Sequence, residues 1–269
     1  MNLLEVKDLE VRDYKHGKAL VEHISFQIKP DNCLAIIGES GSGKSVSCKA
    51  IMGINPSGLL SRGSIMFKGE ELINKDTRDL RKLRGKSLSM IMQNAMSAFD
   101  PSCTIGTFLY EVLQEHLGLN KKDSYRMTAG IFETLMLKDP EDIAKKYPHQ
   151  LSGGMLQRVM IALSIALKPD LIIADEPTTA LDSITQFELI KQMIRIRKET
   201  GISLIFISHD LGLVKTLADD IVVMKQGRIV ESGSAADIFR GPKSEYAKYL
   251  VGTRMALGNK FRTIMREAV

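Results

Sequence analysis

The stretch LAIIGESGSGKSVSCKAIMGI, Leu34 to Ile54, decides the fold. It opens with a short apolar run, passes through the form GxxxxGK[ST] from Gly38 to Ser45, and continues with apolar residues at helical spacing. Strand, glycine-rich turn and helix, in that order, are the setting in which this motif cradles phosphate. Glycines let successive backbone N–H groups converge on one concavity, and the N-terminus of the following helix adds partial positive charge. The predicted cradle comprises Gly38, Glu39, Ser40, Gly41, Ser42, Gly43, Lys44, Ser45 and Val46. Lys44 is expected to reach the β- and γ-phosphates, and Ser45 to ligate Mg²⁺ through its hydroxyl.

Upstream of the loop, LEVKDLEV and ISFQI alternate apolar and polar residues, as half-buried antiparallel strands do. Downstream, LSMIM, LIIA, SLIFI and DIVVM are short apolar runs that read as strands buried on both faces of a mainly parallel sheet. An α/β core with an N-terminal antiparallel β-layer follows. Between Thr104 and Lys146 the period is helical throughout (TFLYEVLQEHL, YRMTAGIFETLML, PEDIAKKY), which predicts an inserted α-helical subdomain over about residues 95–165. The stretch SITQFELIKQMIRIRKE is a further helix, with Asp182 or Ser183 as its N-cap. The expected organisation is one domain over 1–251 and a basic C-terminal tail over 252–269.

The segment LIIADEP delivers Asp175 and Glu176 at the C-terminal end of a strand, where ligands bind in open α/β sheets. Asp175 suits the Mg²⁺ shell. Glu176 suits polarisation of an attacking water.

Composition narrows the class. The chain has 269 residues, 44% hydrophobic and 26% charged, as an ordinary globular protein has. It shows no apolar leader behind Met1 and no run of about 18 apolar residues, so neither secretion nor membrane spanning is expected. Cys33, Cys48 and Cys103 are odd in number and widely spaced, which supports neither a disulfide framework nor a zinc site. Net charge is +5, and Arg254, Lys260, Arg262 and Arg266 against Glu267 place +3 of it in the last sixteen residues. That excess reads either as a contact for anionic lipid or an acidic partner, or as a solvated helix face. Aromatic residues are only 6% and form no stacking platform, so no nucleic-acid partner is expected.

With GESGSGKS, Gln93 in MIMQN, LSGGM, LIIADEP, TALD and His209 in FISHD in this order and spacing, the chain resembles the ATP-binding cassette (ABC) ATPases over nearly its whole length. The resemblance implies a P-loop NTPase core that binds ATP and Mg²⁺. It implies that Tyr14 stacks on adenine, a role that simple packing of a tyrosine near a strand end rivals. It implies further that Gln93 senses Mg²⁺ and water and that His209 contacts the γ-phosphate. It also implies that Ser152, Gly153 and Gly154 close over ATP held by a second subunit, with Asp182 at the dimer seam.

Among such proteins, the absence of long internal coiled coils and of a second cassette points to a transporter subunit, with permeases made by other chains. MIMQNAMSAFDP, LSGGMLQRVMIAL and GPKSEYAKYLV are similar to the nickel and peptide importer branch, above all to ATPases for nickel or metal–metallophore (opine) uptake. Met155 stands where many ABC proteins have Gln, and the chain ends without the cysteine cluster of many peptide-importer ATPases. Both features favour the metal side. The implied assembly is a heterodimer with a second ATPase subunit, or alternatively a homodimer, on two transmembrane permeases at the cytoplasmic face of the membrane, served by an extracytoplasmic solute-binding protein. Met96 and Phe99 are expected either on a permease-docking surface or in the core. The rival functions are di- or oligopeptide import, and a soluble ABC regulator that binds nucleic acid.

Overall fold

The alternation in Leu4–Val11 changes phase once, because Leu4 and Val6 are followed by Leu9 and Val11, yet all four side chains are buried. A β-bulge resolves the conflict: strand pairing shifts register between Val6 and Leu9, and Asp8 takes a left-handed φ of 50°. The extra residue turns the strand so that its apolar side chains return to one face.

The computed structural model describes residues 2–253. In chain order the elements are β1 (Leu4–Asp13), β2 (Ala19–Ile28), β3 (Cys33–Ile37), α1 (Lys44–Met52), β4 (Leu59–Phe67), β5 (Glu70–Glu71), α2 (Thr77–Leu83) and β6 (Leu88–Ile91). They continue with α3 (Ile105–Leu117), α4 (Lys121–Thr134), α5 (Pro140–Lys145), α6 (Gly153–Ala166), β7 (Leu171–Asp175) and α7 (Ser183–Thr200). The last are β8 (Ser203–Ile207), α8 (Leu211–Leu217), β9 (Asp220–Lys225), β10 (Arg228–Ser234) and α9 (Ala235–Arg240). Residues 245–253 are helical as well. The rest of the predicted basic tail, 254–269, lies outside the described residues.

Two compact units divide the chain, one made of the part up to Leu80 and the part from Ser203 onward, the other of Arg81–Ile202. The first unit holds an antiparallel sheet of order β2-β1-β4-β5. It also holds β3 paired in parallel with both β8 and β9, and β10 antiparallel to β9. Every residue of β3 and β8 is buried, as continuous apolar strands in parallel sheets are. The second unit pairs β6 in parallel with β7, and between them residues 95–166 contribute only helices. Helix α6 is buried on nearly all sides, which its apolar run LQRVMIALSIA dictates.

Phe99 proves to be a core residue, 6% exposed, because its ring packs on Phe108 with centroids 4.9 Å apart. Met96 is exposed. The docking-surface alternative therefore holds open for Met96 alone.

Candidate nucleotide site

The phosphate loop begins where β3 ends. A Cβ on Gly38 would sit 2.2 Å from the carbonyl oxygen of Met224 on β9, so the loop can pass there only as glycine. Gly41 and Gly43 adopt φ of 77° and 99°, and Gly43 is the residue from which α1 starts. The N–H groups of the first turn, from Lys44 through Val46, face out of the helix toward the loop. Lys44 is only 7% exposed. Its Nζ lies 3.0 Å from the Gly38 carbonyl, 2.7 Å from the Glu39 carbonyl and 3.5 Å from Ser42 Oγ. Phosphate oxygens can replace these neutral acceptors with partners of opposite charge, adding ion-pair attraction to bonds that the ammonium already strengthens. Left-handed glycines, a helix N-terminus and a buried ammonium thus fit a polyphosphate.

In the same unit, His209 is exposed just beyond β8. The residue after it, Asp210, caps α8 by accepting from the Gly212 and Leu213 N–H groups at 2.7 and 3.2 Å. Tyr14 sits in the turn after β1, 77% exposed, with its N–H donating to the Gly58 carbonyl at 2.9 Å. A side chain so exposed is not part of the core, so packing does not account for Tyr14.

The second unit carries the acids. Asp175 closes β7 and is 5% exposed. Glu176 follows with φ 48°, a left-handed conformation costing about 1–3 kcal/mol for a residue other than glycine. Thr179 holds the turn by donating through Oγ1 to the Glu176 carbonyl at 3.1 Å. Gln93 donates through Nε2 to Glu176 Oε2 at 3.1 Å, so the structure brings these two predicted residues together.

Ser152 caps α6, its Oγ accepting from the Met155 N–H at 3.2 Å, and Ser152 and Gly153 are exposed. Gly154 is buried, and a Cβ there would come within 2.7 Å of Leu181 Cδ2 and 3.1 Å of the Ala180 carbonyl. A larger residue would push Leu181 aside and crowd the Ala180 carbonyl where the start of α6 lies against the TALD segment. Asp182 caps α7, accepting from the Ile184 and Thr185 N–H groups at 3.1 and 3.0 Å and from Thr185 Oγ1 at 2.6 Å. Chiefly through that hydroxyl bond, its carboxyl is held below the usual aspartate range.

Sequence reasoning missed three supports. Gln157, 1% exposed, donates through Nε2 to the Met92 carbonyl at 3.1 Å, and Met160 Sδ accepts from the Met92 N–H at 3.4 Å. Arg158 donates to the Met136 carbonyl at 2.8 Å and to the Gly154 carbonyl at 3.3 Å. Tyr246 accepts from the Glu39 N–H at 3.0 Å. A glutamine amid the apolar run of α6 was an available signal; Tyr246 lies in GPKSEYAKYLV, a stretch that marks the branch but not a contact with the phosphate loop.

The sequence profile of the ABC transporter family matches residues 21–179, from β2 past β7. The chain belongs to the ABC transporter family. It is an ATP-binding ABC ATPase with the α/β fold of that family. The metal-staphylopine import system ATP-binding protein CntD of Staphylococcus aureus (strain NCTC 8325 / PS 47) is 44% identical over 266 residues, covering 99% of this chain and 98% of the relative. The dipeptide transport ATP-binding protein DppD of Haemophilus influenzae is 44% identical over 254 residues, 93% of this chain and 77% of the relative. Among solved ABC structures, cbiO1 of Clostridium perfringens, part of the ABC transporter complex cbiONQ, superposes with a TM-score of 0.73 at 26% identity. That match covers 89% of this chain and 91% of cbiO1.

Proposed function

We propose that this ABC ATPase powers import of nickel or of a metal–metallophore complex through separate permease subunits. The observation that carries the substrate class is the 44% identity to a metal-staphylopine import ATPase along almost the full length of both chains. A dipeptide importer ATPase at equal identity over a smaller share of its own length keeps peptide import as the second reading. Metal accumulation in a deletion strain, measured with nickel alone and with a metal–opine chelate, separates the two. Loss of peptide uptake with normal metal uptake would overturn the metal assignment.

The residue roles follow the chemistry. Gly38 through Val46 bind the phosphates, with Lys44 on the β- and γ-oxygens. Ser45, Asp175 and Gln93 hold Mg²⁺, an ion that keeps several waters and uses few protein ligands beside the phosphates. Bound there, the ion neutralises developing phosphate charge. Glu176 polarises the water, Gln93 orients it through the bond to Glu176, and His209 contacts the γ-phosphate. Tyr14 offers an exposed ring to adenine. Ser152, Gly153, Gly154 and Asp182 serve the nucleotide of a second ATPase subunit, which supports a dimer as the active form. The neighbouring Ile184, 75% exposed, also suits a seam covered by a partner.

The leading assembly is a heterodimer on two permeases at the cytoplasmic face of the membrane, with a solute-binding protein delivering cargo from outside. No helix among the described residues is long and apolar enough to cross a membrane. ATP hydrolysis measured with and without a co-expressed second cassette tests the pairing: cooperative, full activity of the isolated chain would establish the homodimer instead.

A further inference from the structure

The peptide unit joining Gly38 to Glu39 is gripped at both ends. Its carbonyl, Gly38 O, accepts from Lys44 Nζ at 3.0 Å. Its N–H, on Glu39, donates to the Tyr246 hydroxyl at 3.0 Å. In a planar trans peptide these two groups point in opposite directions, so the lysine and the tyrosine hold it from opposite sides. A glycine precedes the unit, and glycine imposes little resistance to rotation of a neighbouring peptide plane.

Tyr246 is itself firmly placed. It is 9% exposed in the first turn of helical residues 245–253, where Ala247, Leu250 and Val251 are also buried. Lys225 Nζ stands 4.8 Å from its ring centroid. Ser244 caps this helix through its Oγ, which accepts from the Ala247 N–H at 3.1 Å. The Glu231 carboxylate on β10 accepts from the Lys243 and Ser244 N–H groups at 2.8 and 2.7 Å, tying the start of the helix to the sheet. Burial raises the Glu231 pKa, but these backbone donors outweigh it and hold the carboxyl below its ordinary value.

We infer that Tyr246 is a positioning residue of the phosphate loop, setting its affinity for ATP without entering the chemistry. When Lys44 leaves the Gly38 carbonyl for a phosphate, one of the two grips on this peptide is released. The Tyr246 hydroxyl is the remaining one, and it keeps the plane from turning while the cradle fills. The C-terminal helix thereby becomes part of the nucleotide site through this hydroxyl. The inference rests on the loop binding ATP as assigned above.

Tyr246→Phe removes the hydroxyl and leaves the ring. In the full-length chain assembled with its partner subunits, ATP KM is expected to rise about three- to tenfold, the effect of losing one hydrogen bond. Turnover stays within twofold and the unfolding midpoint is nearly unchanged, the split of a lost uniform-binding interaction. Binding of a fluorescent ATP analogue to the full-length chain should weaken in parallel. Tyr246→Leu should raise KM alike while also lowering the midpoint. A KM for Tyr246→Phe within twofold of the parent overturns the inference, as does a fall in kcat tracking a fall in the midpoint. Absence of ATP binding by the parent chain, with Lys44→Ala as the reference, would instead remove the loop assignment and this inference with it.

Discussion

Gln157 reaches out of α6 to the carbonyl of Met92, the residue immediately before Gln93, at 3.1 Å. The helix whose first residues carry the LSGG glycines is therefore fastened to the segment that presents Gln93 to Glu176. Gln157→Leu leaves the half-buried Met92 carbonyl without this donor, a loss of about 0.5–1.5 kcal/mol that denaturant titration will read. Because the bond sets the approach of Gln93, kcat should fall while ATP binding holds. Unchanged stability would mean that water replaces the amide.

Glu176→Gln preserves shape and removes the charge proposed to polarise water. ATP binding should persist and turnover should drop about 10²- to 10⁴-fold. Gln93→Ala should lose less, since Glu176 remains but loses its 3.1 Å partner. Single-turnover hydrolysis separates these effects from product release, and near-normal hydrolysis in Glu176→Gln would eliminate it as the base.

Ser152 caps α6 and is proposed to serve the ATP of a second subunit, roles that one substitution can separate. Ser152→Ala should cost about 1 kcal/mol as a lost cap of α6. Gel filtration of a hydrolysis-deficient background with ATP should show dimer formation weakened beyond that loss, while ATP binding by the separate chain stays intact. Dimerisation unaffected by Ser152→Ala would return this serine to a purely capping role.

Asp182 has a folded-state pKa below its ordinary value of 3.8. Its contribution is therefore complete above pH 3.8 and is lost as pH falls through the lower folded value. Asp182→Ala should lower the unfolding midpoint at pH 7 through the lost cap of α7. Asp182→Asn should keep most of the cap and flatten the acid limb of the stability curve. An acid limb unaltered in Asp182→Asn would assign the titration to another carboxylate.

Patterns dense in meaning were legible before any coordinates. The strand–loop–helix of Leu34–Ile54, the fully apolar β7 and β8, the helical stretch before LSGG and the Asp182 cap follow from periodicity and local chemistry. The strands β4 and β10 escaped: LLSRGSIMF and RIVESGS mix serine, glycine and charge, and become strands by pairing with β1 and β9. Tyr246 escaped for a related reason, being 207 residues from the amide it holds. Phe99 stood between docking surface and core because sequence shows only that a ring is present, not that Phe108 covers it.

The bulge at Asp8 has a bearing on how this chain tolerates length changes. Against both β2 and β4, β1 spends three steps from Val6 to Leu9, or from Lys7 to Glu10, where its neighbour spends two. One residue is therefore surplus to the ladder with β4, whereas β2 returns the step by spending three from Ile24 to Val21 where β1 spends two from Leu9 to Val11. The Asp8 side chain meets His23 Nδ1 at 2.8 Å on the exposed surface. Excising Asp8 would leave Leu4, Val6, Leu9 and Val11 in strict alternation toward the same interior. The strand thus carries a site where the reading of one codon more or less can pass without reversing its inside and outside, a margin that β3, buried along its whole length, does not have.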